Sequence, residues 1–306
     1  MKRLQNRIAE SRFALPVAAV YALLVCLANH LISQSLWPQL LVLALSTLLM
    51  VQLNSINALI RIYSRMVSCS FLVLTSMVTF VFPQILGAVM ALCFIGFLLI
   101  VCYAYQKPRA AGTVFYAFCC IGIASLFSVH VLWYLPILWI VLTFNIMALS
   151  ARTFVASLLG LLTPYWFSLL WFGFTGNMEW YATHFMALAD FSTPFDLTLW
   201  NTHQLVTFIF IILLALISAV HFFGSSYKDK IRTRMIFEML LILAGFTMLF
   251  LLLQPTLYDP LIRIFIITTS PLVGHYLALT NSRVSNVTFI IMSVLALGIT
   301  FWNLWI

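Results

Sequence analysis

The chain has 306 residues, of which 64% are hydrophobic and 7% charged, with a mean hydropathy of +1.11. Soluble domains carry roughly a quarter charged residues, so this composition excludes a water-exposed globule and points to repeated membrane spans. The net charge of +8 does not indicate nucleic acid, because the basic residues fall in ones and twos between apolar runs and form no basic face.

The N-terminal segment MKRLQNRIAESR places Lys2, Arg3, Arg7 and Arg12 ahead of an apolar run over residues 13–32. A signal peptide has a similar start, but its apolar core is about 7–15 residues and ends in a small-residue cleavage site. Here Asn29-His30 close the run and another span begins at once, so the expectation is an uncleaved first helix. Basic residues near span ends are retained in the cytoplasm. The later clusters are Arg61/Arg65, Lys107/Arg109, Arg152, Lys228/Lys230/Arg232/Arg234 and Arg283. If all of them face the same way, each stretch between them crosses an even number of times.

Residues 13–60, 66–106, 113–150, 153–227 and 235–281 are each long enough for two passes, and residues 284–306 for one more. The expected fold is an all-α bundle of about eleven spans, N-terminus cytoplasmic and C-terminus external, forming one integral membrane domain over 1–306. Only Arg263 is left on the outer side. The turn near Phe82-Pro83 has the weakest polar signal, with proline suited to the start of the next helix.

The longest segment between spans, 174–201, falls outside and carries Glu179, Asp190 and Asp196 with no Lys or Arg. Its aromatic and acidic mixture reads as a short interfacial helix followed by a turn at Ser192-Thr193-Pro194. Trp37, Trp133, Trp171, Trp180, Trp200, Trp302 and Trp305 also map to the outer side. They form either an anchoring belt or an outward cavity for sugar or lipid head groups.

Two spans are interrupted. GLLTPYW carries Gly160, Thr163 and Pro164 near mid-depth, and TTSPLVGH carries Thr268, Thr269, Ser270, Pro271, Gly274 and His275. The hydroxyls can bond back to carbonyls of their own helix. Each proline removes a donor, so a kink or local unwinding is expected. The charge pattern sends these two helices in opposite directions, and paired interrupted spans of opposed orientation point to a midplane substrate site. Such breaks also occur in membrane helices with no site.

Ionisable groups are scarce. Asp259-Pro260 has the pattern of an N-cap followed by proline, with Arg263 one turn on, and Glu238 lies one turn from Arg234. No acid is expected at mid-depth, so a proton pump would lack its buried carboxylate, and His275 reads as a lone ring without partners. The six cysteines lie in apolar runs and show no CxxC or metal spacing. Neither a catalytic residue, a metal site nor a cofactor is expected, and no nucleotide-binding loop appears.

The stretches QLNSINALIR, IASLFSVHVLWYLPILWIVL and ARTFVASLLGLLTPYWF, with Asn54, Asn57, Gly160, Thr163, Pro164 and Tyr165, resemble a family of polytopic inner-membrane proteins of Bacteroidota carrying a domain of unknown function. The resemblance covers roughly the first 175 residues and implies a bacterial cell-membrane protein without assigning any catalytic residue. The leading functional expectation, resting on the paired interrupted helices and the outward aromatic skew, is a non-enzymatic protein that binds or moves an amphipathic envelope substrate, such as a lipid-linked saccharide, from the outward side of the lipid bilayer. The alternatives are an integral glycosyltransferase-like enzyme using the outer carboxylates, and a structural subunit with a membrane-protein partner.

Overall fold

The computed structural model describes residues 3–29, 34–191 and 194–305. Every regular element among them is helical. The short α1 (Leu4–Ala9) precedes α2 (Ala14–Ala28), α3 (Trp37–Asn57), α4 (Met66–Met77), α5 (Ile85–Val101), α6 (Ala111–Phe127) and α7 (Leu135–Phe144). Then come α8 (Ala151–Thr175), α9 (Glu179–Met186), α10 (Thr202–Ser225), α11 (Ile231–Leu253), α12 (Tyr258–Leu279) and α13 (Arg283–Asn303). The expected His30 and Ser192-Thr193 turns and Ile306 lie outside the described residues.

Among the described residues, seven helical segments are long and apolar enough to cross a membrane, built on α3, α5, α8, α10, α11, α12 and α13. Four shorter apolar segments accompany them, over α2, α4, α6 and the 3-10 turn leading into α7. At 1.5 Å per residue, α4 is only about 18 Å long, well short of a hydrocarbon core of about 30 Å. Almost all of its side chains are buried, packed above all against α12.

Helix starts follow local chemistry. Ser150 caps α8 by accepting from the Thr153 N–H while Thr153 Oγ1 accepts from the Ser150 N–H, and Ser282 and Ser285 repeat the reciprocal pair at α13. The Asn201 N–H is likewise taken by Gln204 Oε1 ahead of α10.

Loops sort into two ends. At one end, Gln5 Nε2 donates to the Leu277 carbonyl, Arg61 Nη1 to the Lys228 carbonyl, Arg232 Nη2 to Asn57 and the Cys102 carbonyl, and Ser150 Oγ to the Pro108 carbonyl. These bonds gather the N-terminal, 58–65, 102–110, 146–150, 226–232 and 280–286 segments, which hold the basic clusters. At the other end, Asn29 Nδ2 donates to the Thr79 carbonyl, Gln39 Nε2 to Pro83, Asn303 Nδ2 to Met77 and Trp200 Nε1 to Pro255. The charge alternation along the chain is therefore a spatial separation in the fold.

At the centre stands α12. Its residues from Leu261 to Ala278 are all buried, and it packs against α4, α11, α10 and α5. Gly274 lets α4 come close: a Cβ there would lie 2.7 Å from the Val67 backbone nitrogen. A separate pair is formed by α6 and α8. A Cβ on Gly160 would lie 2.3 Å from the Phe115 carbonyl oxygen, and one on Gly122 2.6 Å from that of Leu161. Small residues let membrane helices touch backbone to backbone.

Candidate functional site

The two interrupted helices sit in different parts of the bundle. Gly160 and Pro164 are buried in the crossing of α8 with α6, and Thr163 returns its hydroxyl to the Leu159 carbonyl. In α12, Thr268 donates to the Ile264 carbonyl, Thr269 to Phe265 and Ser270 to Ile266, so the self-capping expected of these hydroxyls is formed. The helix nevertheless stays continuous from Tyr258 to Leu279, contrary to the expected unwinding at Pro271. The hydroxyl bonds within the turns before Pro271 and the neighbours on every side hold the helical path. Both breaks are filled by helix packing, and none of the cavities described below is lined by Gly160, Thr163, Pro164, Thr268–Ser270, Pro271, Gly274 or His275.

The three carboxylates between α8 and α10 sit at different elements, Glu179 in the first turn of α9, Asp190 after the 3-10 turn that follows it, and Asp196 ahead of the 3-10 turn Leu197–Leu199. Glu179 and Asp190 are exposed, while Asp196 accepts from the Thr198 N–H and hydroxyl. No group of three or more His, Cys, Asp or Glu side chains able to hold a metal ion occurs among the described residues. The segment between α8 and α10 instead folds back on α8: Trp180 stacks on Phe172 and on His184, and Tyr181 Oη donates to the Tyr165 carbonyl. Burial in this aromatic stack holds His184 below the usual histidine range, and His130 acts in the same direction.

Asp259 lies in the first turn of α12 rather than at its N-cap, because the helix begins at Tyr258. It accepts from Arg263 Nε at 2.8 Å, as the one-turn spacing requires. Arg263 is 9% exposed and also donates Nη2 to the Val81 and Gln84 carbonyls. The pair lies against Gly87, whose missing Cβ makes room for it: one there would be 2.6 Å from Asp259 Oδ2. A small cavity of about 40 Å³ adjoins Arg263, with Gln39, Ser46 and Thr75 on its wall. The Arg234–Glu238 pair is looser, at 3.8 Å and half exposed.

A buried carboxylate does exist, which corrects the expectation that the chain lacks one. Asp229, in the short connection between α10 and α11, has a side chain with 0% exposure. Its Oδ2 lies 3.0 Å from Nε2 of His275, also 0% exposed, and its Oδ1 lies 2.9 Å from Nε of Arg61. His275 is therefore no lone ring. Phe222 and Phe237 meet it edge-on at 5.8 and 4.7 Å between centroids, and the His221 ring is 5.6 Å away. Sequence spacing could not join Asp229 to His275 across 46 positions. The one available signal was an acid standing alone in the basic run YKDKIRTR.

The second feature is a lateral groove between α2 and α13. One cavity of about 390 Å³ is walled by α1, α2, α4, α10, α12 and α13, and a second of about 370 Å³ continues along α2 and α13. They share Tyr21 and Leu297, and the Tyr21 hydroxyl bonds Thr300 Oγ1 at 2.6 Å across the gap. From Phe289 to Leu304 the floor of the groove runs along α13 for about 22 Å. The lining is almost wholly apolar, and Val17, Leu24, Leu297 and Phe301 on its rims are exposed. Ile8 of α1 closes the basic end, close to the exposed Arg7 and Arg12.

Neither a protein-family model, nor a curated protein, nor a solved structure matches this chain.

Proposed function

We propose that this protein is a multi-pass bacterial inner-membrane protein that binds and moves an amphipathic lipid, of the class of lipid-linked envelope saccharides. The lateral α2–α13 groove carries this reading. It is apolar, flanked by exposed apolar side chains, and positioned on the face of two membrane-type helices, where bilayer lipid is the solvent. Its length of about 22 Å exceeds half of a hydrocarbon core of about 30 Å, so an acyl or isoprenoid chain lying in it would pass beyond one leaflet. Arg7 and Arg12 at the closed end suit an anionic head group.

In this reading the four shorter apolar segments cross together with the seven long ones, eleven in all. The basic end faces the cytoplasm by the retention of positive charge, and the tryptophan-bearing end faces outward. The resemblance to polytopic Bacteroidota proteins is in keeping with that placement.

The test is to purify the protein in mild detergent and identify the retained lipid by mass spectrometry. Ala18 and Ala296 both line the larger cavity and are 7% and 5% exposed. Ala18→Trp and Ala296→Trp fill the groove and are expected to lose most of the bound lipid while inserting normally. Equal lipid in the wild type and both filled variants would sink the groove reading.

A further inference from the structure

We propose that His275 and Asp229 form a proton-binding site at the basic end, in which His275, once protonated, replaces Arg61 as the counter-ion of Asp229. The site goes beyond the groove and does not depend on what occupies it.

One carboxylate here faces two cation-forming groups. Asp229 Oδ2 accepts from His275 Nε2, which places the ring proton on Nε2 in the neutral tautomer and leaves Nδ1 with a bare lone pair. That Nδ1 is buried and has no hydrogen-bond partner. It is the ring's one open proton acceptor, and in an enclosed membrane helix an ionisable residue is retained for function by default. Nδ1 is the atom on which a proton from water at the basic end would land. The imidazolium that results keeps its Nε2–H on Asp229.

Arg61 is the weaker-held of the two cations. Its Nε is 2.9 Å from Asp229 Oδ1, yet the N–H is aimed too far off that oxygen to make a hydrogen bond. Its side chain is 36% exposed, and its remaining bond is a long one of 3.3 Å from Nη1 to the Lys228 carbonyl. The other charged or titratable groups around the ring are His221 from α10, Lys228 beside Asp229, and Tyr276 on α12 itself, whose hydroxyl pairs with Thr288. From α11 the ring is met by Phe237, while Arg232 points away to Asn57 and Cys102. Among the described residues, nothing in this shell adds a second anion.

With His275 neutral, Arg61 and Asp229 balance. With His275 charged, three groups carry a net positive charge in a poorly solvated site, and the one already touching water leaves. Arg61 departs into solvent at the basic end and the 58–65 segment loses its tie to the 226–230 connection. Two residues beyond His275, Leu277 both lines the larger cavity and accepts the Gln5 bond that holds α1 over the groove's basic end. The proton site therefore borders the same turn of α12 that α1 grips.

The full-length protein in lipid nanodiscs gives the test. Histidine-selective nitrogen NMR between about pH 8 and about pH 5 reads the ring directly, a range that spans ordinary imidazole titration. His275 is expected to gain a proton on Nδ1 within that range, and pH-corrected amide exchange of residues 58–65 to rise several-fold with it. His275→Gln keeps a donor for Asp229 but takes no proton, so its exchange should stay at the alkaline level throughout. Arg61→Gln, which leaves the core untouched, should show the acid-state exchange already at about pH 8. A His275 ring unchanged over the range overturns the proposal, as does a pH response that survives in His275→Gln. A ring that titrates without loosening 58–65 overturns the displacement of Arg61.

Discussion

Asp229 sits between Lys228 and Lys230, both exposed, and buries its own carboxylate beneath them. Removing one partner of a buried pair leaves the other charge uncompensated, which costs about 3–5 kcal/mol in enclosed sites. Because Arg61 reaches water, Asp229→Ala is expected near the lower end of that range, about 3 kcal/mol, and Asp229→Asn less, since the amide still accepts from His275. Denaturant unfolding in detergent measures both, and equal stability of wild type and Asp229→Ala would show the pair to be neutral. At this scale the sequence was half legible. Asp259–Arg263 and Arg234–Glu238 follow from one-turn spacing alone, which a helix enforces wherever it forms. Asp229–His275 is a contact between distant segments, and YKDKIRTR has the composition of a solvated loop. Only tertiary packing decides which way that acid turns.

Helices α12 and α8 show why an interrupted pattern is ambiguous. Proline and glycine in a membrane span mark either an opening or a close approach, and composition cannot separate the two. Here the approach dominates, because the glycine positions face neighbouring backbone rather than space. Gly160→Ala would drive a Cβ into the Phe115 carbonyl and Gly274→Ala one into the Val67 backbone, and overpacking of this kind costs about 1–3 kcal/mol. By contrast, a Cβ on Gly298 of α13 meets nothing within 4 Å. Gly298→Ala is expected to be neutral or slightly stabilising, since glycine inside a helix is worse than alanine by roughly 1 kcal/mol. Thermal unfolding of the three variants checks the order, and a Gly160→Ala protein as stable as Gly298→Ala would contradict the packing account. Where the apolar runs end was largely readable from the charges between them, though Asp259 stands inside its helix rather than at its cap. The continuity of α12 through Pro271 was not, because it is imposed by four surrounding helices.

For the whole molecule, the segregation of charge between two ends is the feature the sequence carries most plainly, as each basic cluster is local and each lies between apolar runs. Reporter fusions after Arg109, Arg152 and Arg234 are expected to score cytoplasmic, and fusions between Glu179 and Asp196 and at Ile306 external. A cytoplasmic signal at Ile306 would remove one crossing from the proposed eleven. The groove was invisible in the sequence because it is an absence of packing between the second helix and the last. The central placement of α12 has a consequence for biogenesis. It is the least apolar of the seven long segments, yet all its middle residues are enclosed. Asp229 for His275, the Val81 and Gln84 carbonyls for Arg263, and Val67 against Gly274 all come from chain made earlier. The berth for α12 is thus encoded ahead of its occupant, whose three self-capped hydroxyls present less polarity to lipid before it docks.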